Sequence, residues 1–136
     1  MNRTLLKASL VKHEGLRRTA YRDAAGKLTI GVGRNIEAVG LSDDEIQLML
    51  DNDINRAFEF CQTHIDCFGS LDSVRQNVLV EMAFNLGGAG LAHFTKMLAA
   101  LEKRDFAAAA EAMLASEWAK QVGQRAANLA SAMRMG

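Results

Sequence analysis

Two carboxylates and a hydroxyl stand close together near the start of the chain, in the stretch HEGLRRTAYRDAAGKLTIGVGR at residues 13–34. Glu14 and Asp23 are the acids, and Thr29 follows them. Around them lie Arg17, Arg18, Arg22, Lys27 and Arg34. Hydrolysis of a glycosidic bond needs such a pair. One carboxylic acid protonates the leaving oxygen, while a second carboxylate on the other side activates water or attacks directly. Thr29 could help to hold that water. By spacing alone the same acids also read as partners in surface ion pairs, which contribute little to stability.

The surrounding pattern says which elements must position these groups. Leu5, Leu6, Leu10 and Val11 recur at helical spacing over residues 3–13, and Gly15 offers a stop. Residues 20–22 read as a strand, 23–26 as a turn and 28–32 as a second strand, which makes a hairpin. Residues 35–41 read as a loop. Ser42 and Glu45 form a capping box. It opens a long helix whose buried stripe is expected to be Ile46, Leu50, Ile54, Ala57 and Cys61. A second, broadly apolar helix spans residues 71–86, and the glycines at 87, 88 and 90 end it. Those glycines lack the Lys-Ser/Thr of a phosphate loop. Helical pieces follow at 94–103, 105–115, 117–121 and 124–134. The expected fold is α+β and mostly α. A small hairpin lobe (about 15–41) is set against a larger helical lobe (42–136, with helix 3–13), within a single domain 1–136. A groove between the lobes would take the ligand.

Composition narrows the function. The 136 residues are enough for one domain with a core, and the absence of proline suits helices. No apolar run reaches the roughly 18 residues of a membrane span, and Lys7 and Lys12 interrupt the apolar residues of the N-terminus. A signal-peptide pattern is therefore missing. Net charge is zero, yet residues 1–34 carry eight cations and two acids, and the remainder eight cations and fourteen acids. A basic end on an acidic body suits an anionic polymer. Nucleic acid is disfavoured, because no basic helix or stacked aromatic pattern accompanies the charge. Cys61, His64 and Cys67 have no second ligand cluster, so no metal is expected, and the thiols are expected free. Trp118 and Phe94 read as core.

The order of Glu14, Asp23 and Thr29, followed by Ile-Gly-Val-Gly, resembles the signature of the phage-type (T4-like) lysozymes. LDSVRQNVLVEMAFNLGGAGLAHFTKML at 71–98 looks like that family's central helix and the turn after it, and FAAAAEAMLASEWAKQVGQRAANLASAMR at 106–134 like its C-terminal helices. The resemblance implies a muramidase that hydrolyses the β-1,4 bond between N-acetylmuramic acid and N-acetylglucosamine in peptidoglycan, with inversion and without a cofactor. It implies Glu14 as general acid, Asp23 as the group that positions or activates water, and Thr29 as that water's partner. Phe84 and Asn85 match cleft-wall positions where glycan binds, and Asn35 matches a residue that contacts substrate through its backbone. Arg125 matches an arginine that pairs with the catalytic glutamate. By the same analogy Arg34 would pair with Asp53. The small lobe is shorter than in longer members, and Met97 and Ala112 replace polar substrate contacts. The implied partner is the glycan strand, met by a monomer without stable membrane association. The implied setting is a phage or prophage endolysin held in the host cytoplasm until a holin-type lesion releases it. A lytic transglycosylase is the alternative enzyme, and a silent glycan-binding module the alternative of another class. The Glu–Asp–Thr set argues against both.

Overall fold

Asn2 starts the first helix, α1 (Arg3–Glu14), by accepting the Leu5 amide on its side-chain oxygen at 3.1 Å. Gly15 ends it at φ 77°, and its amide still reaches the Val11 carbonyl. In the computed structural model, which describes all residues Met1–Gly136, three antiparallel strands follow. They are β1 (Arg17–Arg22), β2 (Leu28–Gly31) and β3 (Arg34–Asn35), in that order across the sheet. Tyr21 faces Thr29 on one side of β2, and Asn35 faces Thr29 on the other. The sheet departs from the expected hairpin. β1 begins three residues earlier, and β3 replaces the start of the expected loop. The ladder is irregular between Arg17 and Tyr21, which obscures the alternation that would mark β1.

The capping box forms as expected. Glu45 Oε2 accepts the Ser42 amide at 2.8 Å, and Ser42 Oγ accepts the Glu45 amide at 3.3 Å. Helix α2 (Asp43–His64) then runs on from the box. The chain divides into two compact units, Met1–Leu48 and Met49–Gly136. In the first unit the only buried side chain is Thr29. Ladder bonds and polar contacts hold that unit, such as Arg22 to Glu37 at 3.0 Å. The expected stripe of α2 is corrected by its exposure. Ala57 and Cys61 are buried, but Ile46, Leu50 and Ile54 are 45%, 37% and 41% exposed. Periodicity identifies an apolar face without saying that anything covers its whole length.

The second unit has a true core. Helices α3 (Ser73–Ala92), α4 (Thr95–Glu102), α5 (Phe106–Leu114), α6 (Glu117–Val122) and α7 (Gln124–Met135) surround Leu79, Met82, Leu91, Met97, Leu101 and Met113, all fully buried. Each such side chain contributes roughly 1.5–3 kcal/mol by leaving water. Buried alanines at 109 and 110 on α5 and at 126 and 130 on α7 let helices approach closely. Asp72, Asp105 and Ser116 each accept an amide of the following turn and so start α3, α5 and α6. The glycine cluster behaves differently from the expected stop. Helix α3 breaks only at Gly87 (φ 75°, ψ 161°) and resumes to Ala92. Arg75 ties three helices together. Its guanidinium lies 3.6 Å from the Phe106 ring centroid and donates to the Met133 and Arg134 carbonyls at the end of α7.

Glu45 has a second partner that predicts a pH effect. Its Oε2 also accepts from Arg34 Nη1 at 2.5 Å. That bond first, and the Ser42 amide next, lower its carboxyl from 4.5 to about 2. The folded value lies below the unfolded one, so the stabilisation is complete above about pH 4.5 and is lost as pH falls towards about 2. Thermal melts between these pH values should therefore decline more steeply for the wild type than for Glu45→Gln. Parallel declines would remove this role.

Candidate active site

Asp23 is fixed by the turn that it makes. Its Oδ1 accepts the amides of Ala25 at 2.9 Å and Lys27 at 2.8 Å. Its own amide donates to the Lys27 carbonyl at 3.0 Å. A short polar side chain that binds the backbone two and four residues ahead is a local device, and it orients the carboxylate before any ligand arrives. Oδ2 is left free of intramolecular bonds. Thr29 stands two residues after Lys27, is 2% exposed, and donates Oγ1–H to the same Lys27 carbonyl at 2.9 Å. A hydroxyl has one hydrogen, so Thr29 can offer only its oxygen lone pairs to a water.

Glu14 is the last residue of α1 and is exposed. Within its unit its carboxylate makes no hydrogen bond or ion pair. It rests on the β2–β3 turn, at Gly33. A Cβ built there would stand 3.0 Å from Glu14 Oε2 and 3.3 Å from its Cδ and Cγ. Glu14 and Asp23 are thereby anchored at opposite ends of the four-residue strand β2. Within the first unit Thr29 lies on β2, Asp23 in the turn before it, and Glu14 at the end of α1 against the turn after it. Asn35 belongs to the first unit as well, and both of its oxygens are engaged. Its Oδ1 accepts the amides of Glu37 and Ala38, and its carbonyl that of Val39.

The remaining expected site residues belong to the second unit. Phe84 is 45% exposed and forms part of the wall of two hollows, of about 420 and 500 Å³. Asn85 accepts Trp118 Nε1–H at 2.8 Å, which leaves its amide nitrogen to donate. Trp118 is core as expected, 4% exposed and edge-on to Phe94. Arg125 donates Nε–H to Glu81 at 3.0 Å. The sequence pattern did not single out Glu81, although its place one turn before Phe84 and Asn85 was a signal for it. The expected Arg34–Asp53 pair is replaced. Arg34 bonds Glu45, and Asp53 pairs with Arg56 three residues on. Each charge takes an oppositely charged neighbour within its own unit, one of them in the adjacent helical turn. No three His, Cys, Asp or Glu side chains cluster as metal ligands. Both cysteines are free, and burial raises each thiol to about 11, which disfavours the thiolate.

Comparison with known proteins bears on the chain as a whole. The family model described as phage lysozyme matches residues 11–134. "Probable T4-type lysozyme 2" of Dictyostelium discoideum is 26% identical over 160 residues, covering 96% of this chain and 94% of that protein. "Probable T4-type lysozyme 1" of the same organism is 23% identical with the same coverage.

Proposed function

Because the chain belongs to the phage lysozyme family, whose members are lysozyme-like peptidoglycan hydrolases, we propose that it cleaves the β-1,4 bond between N-acetylmuramic acid and N-acetylglucosamine. The observation that carries this reading is that Asp23 and Thr29 are both tied to the Lys27 peptide group, with Asp23 Oδ2 left free and the Thr29 hydroxyl able only to accept. A water placed there gives one hydrogen to Thr29 Oγ1 and the other to Asp23 Oδ2. Its lone pair is then turned away from both, towards an anomeric carbon. Glu14 supplies the proton to the departing glycosidic oxygen. Asp23 takes the water's proton as the new C–O bond forms, so the product sugar emerges inverted.

Arg125 is held by Glu81 through Nε. Phe84 offers a ring to the glycan, and Asn85 donates to it. The acidic wall polymer is met by the cationic residues of the first unit. The physiological role is that of a phage or prophage endolysin, in the host cytoplasm until a holin-type lesion admits it to the wall. The protein acts as a monomer.

Mass spectrometry of purified peptidoglycan after digestion tests the reaction. The expected products end in reducing N-acetylmuramic acid. Their first-formed anomer, read by proton NMR, should be inverted. Products ending in 1,6-anhydro rings would establish a transglycosylase, which has no use for a water-activating Asp23. Retained glycan binding without products would establish a binding module.

A further inference from the structure

We propose that Gly33 is a positioning residue for the general acid. Its missing side chain leaves the place that the Glu14 carboxyl occupies. The inference rests on the reading of Glu14 as the acid, and goes beyond it by naming what sets where that acid stands.

Glu14 is exposed and has no hydrogen bond within its unit to orient it, whereas Asp23 has two amides. Its carboxyl lies against the bare Cα of Gly33. An added Cβ would meet three atoms of the Glu14 side chain, Oε2 at 3.0 Å and Cδ and Cγ at 3.3 Å. These are below the separation of about 3.5–4.0 Å that carbon contacts prefer. The crowded neighbour is the far end of a flexible side chain on the surface. It can give way by a few tenths of an ångström at little cost to folding. What changes is the place from which the proton is delivered, and catalysis is sensitive to displacements of that size.

The same turn contains its own control. Gly31 and Gly33 both have φ +69°, so an L-residue is strained to a similar degree at either. A Cβ at Gly31, however, meets nothing within 4 Å. Backbone strain is common to the two positions, and contact with Glu14 belongs to one.

The experiment compares Gly31→Ala and Gly33→Ala for thermal stability, turnover on purified peptidoglycan, and the side-chain carboxyl resonance of Glu14 in carbon-13 spectra. Both variants should lose similar stability. Gly33→Ala alone should lower kcat, by about 10- to 100-fold, with KM little changed. It should also shift the Glu14 resonance. If Gly33→Ala does not fold, Gly33→Asn repeats the test, because asparagine tolerates positive φ and still carries a Cβ. Equal losses of kcat in the position-31 and position-33 variants, with an unmoved Glu14 resonance, would overturn the proposal. Undiminished activity in Glu14→Gln would instead overturn the underlying reading of Glu14. The two failures are thus distinguishable.

Discussion

Glu14→Gln is expected to lower turnover on peptidoglycan by about 10²–10⁴-fold, the usual contribution of a positioned general acid. The amide matches the carboxyl in size but has no proton acidic enough for the leaving oxygen. Stability should move by no more than about 0.5 kcal/mol, as for other exposed side chains without partners. Glu14 is such a residue within its unit, at the end of α1. Clearing of outer-membrane-permeabilised Gram-negative cells reads the first quantity, and a thermal melt the second. Equal clearing by wild type and variant would remove Glu14 from the chemistry.

Asp23→Asn should be nearly as damaging, by about 10²–10³-fold, and the companion variant Asp23→Ala separates its two roles. In Asp23→Asn the amide oxygen can still accept from Ala25 and Lys27, so the turn is kept. An NH₂ group replaces Oδ2 and cannot take a proton from water. Asp23→Ala also removes both turn bonds and should cost a further 1–3 kcal/mol or so of stability. The expected pattern is therefore two inactive variants, only one of them less stable. An active Asp23→Asn would mean that Asp23 serves only to shape the turn.

Local features were legible in the sequence because their signals are themselves local. The Ser42–Glu45 box and the helix starts at Asp105 and Ser116 all depend on atoms a few residues apart. The two-residue strand β3 is too short to carry a period, and the irregular register hides the first half of β1. The exposure of Ile46, Leu50 and Ile54 depends on what lies above a helix face, which its own periodicity does not contain. The spacing of Glu14, Asp23 and Thr29 pointed to paired-carboxylate chemistry. The contacts that fix them could not be read in the same way, because they end on the Lys27 peptide group and on the empty side of Gly33.

Lys27 carries the burden of a site built on main-chain atoms. Its amide holds Asp23, and its carbonyl receives both the Asp23 amide and the Thr29 hydroxyl. Its side chain takes no part in these bonds. Any residue with an N–H can fill the position, and proline alone is barred by chemistry. As far as these bonds go, the side chain at position 27 can change while the alignment of acid and hydroxyl is kept. A site anchored in this way can drift far in composition before its chemistry registers the difference.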